Sequence, residues 1–156
     1  MTEIEIKRTT YDDLDGLRKV LVDTALFPDD MLPDLLSRSL SGADRALWLT
    51  CHHRGSAAGF SYTVPEDLTD GAWNMRALAV SPALQGSGLG SALVRATEAE
   101  LRQMGGRLLI VDTSGTDDFA VTRRFYRRNG YAEEARIRDF WAEGADKVTY
   151  RKSLRS

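Results

Sequence analysis

A glycine-rich turn between a strand pattern and a helix pattern constrains this sequence most. Residues 73–80 read as a strand that Ser81 and Pro82 end, and apolar residues then recur at helical spacing over residues 89–104. Residues 108–111, Leu-Leu-Ile-Val, form a continuous apolar run that is typical of a buried, central strand. Strand, helix and strand in this order predict two parallel strands joined by the helix.

The other segments extend this unit to one mixed α/β domain over residues 1–156. Period-two alternation and turn residues predict further strands at residues 3–7, 47–52, 57–64, 131–140 and 147–154. Helical spacing predicts further helices after Asp12 or Asp13, over residues 31–40, and from Asp117 or Asp118 to about Asn129. The last two strands form a closing antiparallel pair. These strands could also pair between subunits, which would give a homodimer.

Composition excludes several classes of partner. The 156 residues are 42% hydrophobic, enough for one sizeable core. The 21 basic and 23 acidic residues nearly cancel, so no long-range field favours nucleic acid or an anionic membrane. No stretch approaches the roughly 18 apolar residues of a membrane span. With no signal-peptide pattern and one cysteine, Cys51, we expect a cytoplasmic protein without a disulfide framework.

Glycines at positions 86, 88 and 90 let the backbone curl so that several N–H groups point to one spot. The start of the following helix adds unpaired N–H groups and a partial positive charge. Together these features predict a pyrophosphate cradle that needs no lysine. From the glycines alone, a turn that merely joins a strand to a helix is an equally good interpretation.

Two other phosphate-binding motifs fit less well. A Walker loop requires Gly-Lys-Ser/Thr, and the turn has none. The dinucleotide fingerprint GxGxxG begins at Gly86 and Gly88, and Asp112 follows at a strand end as a ribose-binding acid would. Its third glycine position is Ser91, however, and the chain has no room for the repeated units of that fold.

Two motifs carry a resemblance to a known family. Residues 78–93, Leu-Ala-Val-Ser-Pro-Ala-Leu-Gln-Gly-Ser-Gly-Leu-Gly-Ser-Ala-Leu, resemble the acetyl-CoA motif of the GNAT superfamily, Gln/Arg-x-x-Gly-x-Gly/Ala. Gln85, Gly88 and Gly90 occupy its defining positions. Tyr126, with Gly130-Tyr131 after it, is similar to the second signature. The resemblance implies a mostly antiparallel sheet with a central, splayed parallel pair and helices on both faces.

The resemblance also implies which residues bind acetyl-CoA. Leu78, Ala79 and Val80 would pair with the pantetheine arm through their main chain, and the N–H of Val80 would polarise the thioester carbonyl. The pyrophosphate would lie on the turn, whose residues are Gln85, Gly86, Ser87, Gly88, Leu89, Gly90 and Ser91. No metal is implied.

Tyr126 would be the general acid that protonates the departing thiolate of coenzyme A. The alternative is a packing aromatic, as expected for the core-like Val121 and Phe125. Because adjacent helical residues point about 100° apart, a pair of Val121 with Phe125 would leave Tyr126 free to face the cofactor.

Departures from the family pattern leave the base open. Phe119 stands where many members have a pantetheine-binding Asn, and Thr122 where a small Ala is usual. Asn74 is the nearest counterpart of a carboxylate that serves as general base in many members, and Asn cannot accept a proton. Asp112, Glu66 and Asp67 are candidates, each also explained as a solvated or capping charge, and a water chain could do the work.

Several other reactive residue types have simpler explanations. His52 and His53 point to opposite faces of a strand, so they cannot easily share a metal, and we expect them at the surface. To act as a nucleophile, Cys51 would need a lowered pKa and a suitably placed base, which its sequence context does not supply, so we expect a buried strand residue. Four arginines in the last helix could hold the cofactor's 3′-phosphate or form a solvated face: Arg123, Arg124, Arg127 and Arg128.

These observations favour an enzyme that moves an acetyl group from acetyl-CoA directly to an amine of a small molecule or peptide. Acidic residues in the first two helical segments favour a cationic acceptor, although capping and solubility explain them equally well: Asp12, Asp13, Asp29, Asp30 and Asp34. The alternative is a non-catalytic acyl-CoA-binding or sensing domain of the same fold, which Asn74 and Phe119 motivate and Tyr126 opposes.

Overall fold

A computed structural model describes residues 3–155. Met1, Thr2 and Ser156 lie outside the described residues. The first two belong to the N-terminal segment that has no signal-peptide pattern. The strands are β1 (Ile4–Arg8), β2 (Leu47–His53), β3 (Ser56–Pro65), β4 (Ala72–Val80), β5 (Leu108–Ser114), β6 (Ala132–Ala142) and β7 (Ala145–Ser153). The α-helices are α1 (Leu14–Thr24), α2 (Leu32–Leu40), α3 (Leu89–Gln103) and α4 (Ala120–Arg128).

The strands form a mixed seven-stranded sheet in the order β1-β2-β3-β4-β5-β7-β6. β4 and β5 are parallel, and β1 with β2, β2 with β3, β5 with β7 and β6 with β7 are antiparallel. The predicted mixed α/β class and the parallel pair are therefore confirmed. The predicted elements are all present, with boundaries that differ by a few residues.

The chain divides into two compact units, and β4 contributes residues to each. In the first unit, residues up to 64 and 76–100, α1 and α2 cover an aromatic cluster. The ring of Trp48 stacks on Phe60 and Tyr62, with centroids 5.9 Å and 4.2 Å away. In α1, Val20 is buried, whereas Val22 is 64% exposed.

The second unit comprises residues 65–75 and 101–155. Its parallel pair sets Ala72 opposite Leu108 and Asn74 opposite Ile110. β5 is three residues longer than the apolar run predicted, because its polar end continues to pair with β7 as far as Ser114 and Lys147. Backbone pairing therefore extends β5 beyond the point where hydrophobicity stops.

None of the helices within residues 3–155 is both long and apolar enough to cross a membrane.

Candidate active site

The glycine turn follows β4 and leads directly into α3, a helix of 15 residues. A short 3₁₀ turn, Pro82–Leu84, comes first, and Gln85 then leaves it in an extended conformation. The side-chain amide of Gln85 returns to the strand and donates a 3.1 Å hydrogen bond to the carbonyl oxygen of Val80. The Ser87 hydroxyl donates to the carbonyl of Leu84. These two side chains fasten the turn to the residues just before it.

Gly86 and Gly88 give the turn its shape. Their φ angles are +82° and +91°, which L side chains rarely adopt. A Cβ atom added at either position would meet nothing within 4 Å, so the turn is open around both. Gly90 lies in the first turn of α3, while Leu89 is buried and anchors the helix start. An open, curled backbone before a long helix can bind an anion through main-chain N–H groups.

The end of β4 is held by a close contact with β3 that sequence reasoning missed. The N–H of Ser81 donates a 2.7 Å hydrogen bond to the carbonyl of Ala58. A Cβ at Gly59 would lie 2.5 Å from the carbonyl oxygen of Ala79, closer than real Cβ atoms approach oxygen. Glycine inside a strand often marks such an approach of a second backbone, and this signal was present in the sequence. Position 59 therefore shapes the backbone at Ala79 and Val80, the proposed cofactor contacts.

Tyr126 lies in α4 and is 7% exposed. Its ring contacts those of Tyr131 and Tyr150, with centroids 5.9 Å and 6.1 Å away. Burial raises the pKa of the Tyr126 phenol far above its ordinary value of about 10. The phenol therefore keeps its proton throughout the neutral and mildly alkaline range, as an acid must before it can donate one.

The end of α4 fixes the position of Tyr126. Asn129 is the C-cap, and Gly130 follows with a φ of +91°. The N–H of Gly130 donates to the carbonyl of Arg127, and that of Tyr131 to the carbonyl of Tyr126, both at 3.0 Å. This pattern is a Schellman motif, in which the left-handed residue is usually glycine.

One expectation about α4 was wrong. Val121, expected in the core with Phe125, is 65% exposed, whereas Phe125 is half-buried. Tyr126 is the buried residue of this helix, so it faces inward instead of being left free by a pair of Val121 with Phe125. Likewise, Asp117 and Asp118 form a 3₁₀ turn before α4 instead of capping it.

Asn74 brings together two of the three candidate bases. Its side-chain Nδ2 lies 2.9 Å from Oε1 of Glu66 and 3.4 Å from Oδ2 of Asp112. Asn74 itself is buried, and both carboxylates are half-buried. The third candidate, Asp67, is exposed. No local pattern in the sequence indicates that residues 66, 74 and 112 meet.

The histidines and the cysteine have structural contacts. His52, expected at the surface, is half-buried, and its Nε2 lies 2.8 Å from Oδ1 of Asp13 at the start of α1. His53 is also half-buried. Cys51 is fully buried, and burial raises the pKa of its thiol, which disfavours the reactive thiolate. Within residues 3–155, no group of three or more His, Cys, Asp or Glu side chains is arranged to hold a metal ion.

The run of four arginines in α4 (Arg123, Arg124, Arg127 and Arg128) and the acidic segment formed by the aspartates of the first two helical segments each contain residues with different surroundings. Arg123 donates to the carbonyls of Ser114 and Thr116, each at 2.7 Å, and so joins α4 to the end of β5. The other three arginines of the run are exposed. In the acidic segment, Asp29 accepts from Arg18 at 3.0 Å.

Comparisons with known proteins show the family and the fold of the chain. The family model described as acetyltransferase (GNAT) domain matches residues 44–133, which include the glycine turn and Tyr126. A solved structure described as a GNAT-family acetyltransferase from Desulfovibrio desulfuricans is 32% identical, with a TM-score of 0.88 over 97% of this chain and 99% of that one. Comparison with curated proteins gave no match.

More distant structures share the fold. The ribosomal-protein-S18-alanine N-acetyltransferase of Escherichia coli is 19% identical, with a TM-score of 0.78 over 98% of this chain and 95% of that one. An acetyltransferase of Salmonella typhimurium, solved with its cofactor acetyl-CoA, is 17% identical, with a TM-score of 0.78 over 99% and 96%.

Proposed function

The chain belongs to the GNAT family of acetyltransferases, and on this premise we propose that it transfers an acetyl group from acetyl-CoA directly to an amine of a small molecule or peptide. We further propose that residues 1–156 work as one acetyltransferase domain, located in the cytoplasm. The observation that carries the proposal is the open turn at Gly86 and Gly88, which follows β4 and precedes a long helix.

In the proposed complex, the turn binds the pyrophosphate of acetyl-CoA. Its residues are Gln85, Gly86, Ser87, Gly88, Leu89, Gly90 and Ser91. Backbone N–H groups and the partial positive charge of the start of α3 favour an anion there. The main chain of Leu78, Ala79 and Val80 pairs with the pantetheine arm. Support comes from the hydrogen bond of Gln85 to Val80, which couples the turn to the strand.

Transfer then needs two polar groups at the thioester. The amine nitrogen attacks the carbonyl carbon, and the N–H of Val80 stabilises the oxyanion that develops. The carbon–sulfur bond breaks, and Tyr126 gives its proton to the departing thiolate. The amide product keeps the acetyl group, and coenzyme A leaves as the thiol. The resemblance of Tyr126, followed by Gly130 and Tyr131, to the second family signature supports this role.

We also propose that the protein is a homodimer that pairs through β6. Every residue of β6 is exposed, and β6 ends the strand order. Antiparallel pairing of two β6 strands about a two-fold axis can set Glu133 opposite Arg136 in both directions. Ile137, Phe140 and Trp141 add exposed apolar area to the same strand.

The test of the transferase is thiol release from acetyl-CoA in the presence of amines of different classes. The panel is a polyamine, an aminoglycoside, a peptide with a free N-terminal alanine, and an N-terminally blocked lysine peptide. Products are identified by mass. We expect release with at least one class and a 10²–10⁴-fold loss in Tyr126→Phe, as removal of a general acid costs. Tyr11→Phe, the same change at an exposed tyrosine, is the control.

Binding of acetyl-CoA without thiol release from any amine would favour the acyl-CoA-sensing alternative. Absence of binding would reject both functions.

A further inference from the structure

The orientation of the Asn74 amide is determined by its neighbours. Oxygens of Glu66 and Asp112 lie 2.9 Å and 3.4 Å from Nδ2. With the amide turned over, its oxygen would face two carboxylate oxygens, and three acceptors would meet without a proton. The NH₂ group therefore points at the carboxylates. A carboxylate at position 74 would create the same repulsion, so asparagine suits a site whose acids come from neighbouring segments.

The two carboxylates differ in how completely they are engaged. Oδ1 of Asp112 accepts a 2.6 Å hydrogen bond from the Thr149 hydroxyl, and its Oδ2 lies 3.7 Å from Nζ of Lys147, besides the contact with Asn74. Asp112 thus has a partner on each oxygen and a cation beside it. For the Glu66 carboxylate, the only side-chain hydrogen bond within residues 3–155 is the one from Asn74 to Oε1, and no ion pair is formed there. Oε2 is left to accept a proton.

The backbone of Glu66 is held as well. Its N–H donates a 2.9 Å hydrogen bond to the carbonyl of Ala72, and its own carbonyl accepts a 2.8 Å bond from the Thr69 hydroxyl. Since Ala72 opens β4, the loop that carries Glu66 is tied to the strand that carries Asn74. Main-chain and side-chain bonds together fix where the carboxylate lies, which catalysis by proton transfer requires.

We propose that Glu66 is the general base of the acetyl transfer and that Asn74, itself anchored by Asp112, is its positioning residue. The inference rests on the proposed function. An amine with a pKa near 10 is mostly ammonium at neutral pH, so it must lose one proton before attack and a second as the amide forms. Glu66 takes these two protons from the nitrogen in turn, directly or through one water, and passes each to solvent. The proton that Tyr126 gives to sulfur is separate, and Tyr126 regains it from solvent.

The structure separates Glu66 from the other two candidates. Asp112 forms an ion pair with Lys147 and is held on both oxygens, so its role is to orient Asn74. Asp67 is exposed and forms no side-chain hydrogen bond among the described residues, so nothing positions it. Asp67→Asn is therefore the matched control: it removes a carboxylate from the adjacent residue of the same loop.

The experiment measures kcat/KM against pH for the wild type, Glu66→Gln, Asp67→Asn and Asn74→Asp, with the amine from the panel that the wild type acetylates fastest. Calorimetry measures binding of acetyl-CoA to each protein, and circular dichroism checks folding. We expect Glu66→Gln to lose 10²–10⁴-fold in kcat/KM with affinity for acetyl-CoA within threefold of wild type. Asp67→Asn should keep both values.

Asn74→Asp tests the positioning role through the pH profile. The new carboxylate faces Glu66 and Asp112, disfavours a further negative charge, and moves the acidic limb of the profile to higher pH. The double variant Asn74→Asp/Glu66→Gln places one carboxylate back beside the site, so it should recover at least tenfold over Glu66→Gln. If a single variant fails to fold, the activity of the double variant still tests whether a carboxylate is needed at this place.

Outcomes for this inference and for the proposed function are distinct. If the wild type acetylates an amine and folded Glu66→Gln does so within threefold, Glu66 is not the base and the transferase assignment stands. A loss in Asp67→Asn instead would move the base to that residue. If the wild type acetylates nothing, the proposed function fails and the base assignment fails with it.

Discussion

Gly59 on β3 lies so close to Ala79 on β4 that a Cβ at position 59 would be 2.5 Å from the Ala79 carbonyl oxygen. The Cα of Val80 is 3.3 Å from the same point. The glycine thus allows two strands to approach where β4 is proposed to meet the cofactor. Any side chain here must push the backbone of residues 79–80 aside.

Gly59→Ala should therefore affect folding and cofactor binding together. Overpacking of this kind costs about 1–3 kcal/mol, and the displaced strand should bind acetyl-CoA at least tenfold more weakly. Urea unfolding and calorimetry provide the two measurements. An alanine variant with wild-type affinity would show that the contact has no part in binding.

Gly88→Ala separates the shape of the glycine turn from general backbone strain. Gly55, in the β2–β3 hairpin, has a φ of +84°, and an added Cβ there also meets nothing within 4 Å. Alanine at either site should cost about 1–2 kcal/mol, or a few degrees in Tm. Only Gly88→Ala should lose affinity for acetyl-CoA, by tenfold or more. Equal affinities in the two variants would remove the turn from the proposed site.

Tyr126 should make the protein sensitive to alkali. Its pKa is raised in the folded state, so its contribution to stability is fully present below about pH 10, the unfolded-state value. Above about pH 10 the unfolded tyrosine ionises while the buried phenol does not, and stability falls by about 1.4 kcal/mol per pH unit. Urea unfolding of wild type and Tyr126→Phe at pH 9 and pH 11 measures the difference. We expect the variant to lose less stability, and Tyr11→Phe to behave as the wild type.

Dimer formation can be tested by a charge on the β6 edge. Ile137→Lys places a lysine where apolar area and strand pairing are proposed, and it should shift the sedimentation coefficient from dimer to monomer. Val22→Lys, at an exposed valine of α1, is the control and should leave it unchanged. A wild type that sediments as a monomer at high micromolar concentration would reject the proposed interface.

Local patterns predicted the secondary structure well, because the apolar periodicities and glycines that punctuate it act over a few residues. The parallel pair followed from the run at residues 108–111 and the helix before it. Inward and outward faces were less certain: Val121 fits the apolar spacing of α4 yet is exposed, since only packing decides which stripe of a short helix is covered.

Contacts between distant residues could not be predicted. Glu66, Asn74 and Asp112 come from a loop and two strands, and their meeting depends on the register that sets Asn74 opposite Ile110. Gly59 likewise matters only through β4. One sequence contains the residue types of such a site but not the register that brings them together.

The burial of Cys51 has a practical consequence for the assays above. It is the single cysteine of the chain, its side chain is fully buried, and burial raises its thiol pKa. A thiol-reactive dye added to the folded protein should therefore react only with the thiol of free coenzyme A. Denaturant should expose the thiol of Cys51, which adds one equivalent of reactive thiol per chain. A single sample thus measures coenzyme A release before denaturant is added and unfolding of the protein afterwards.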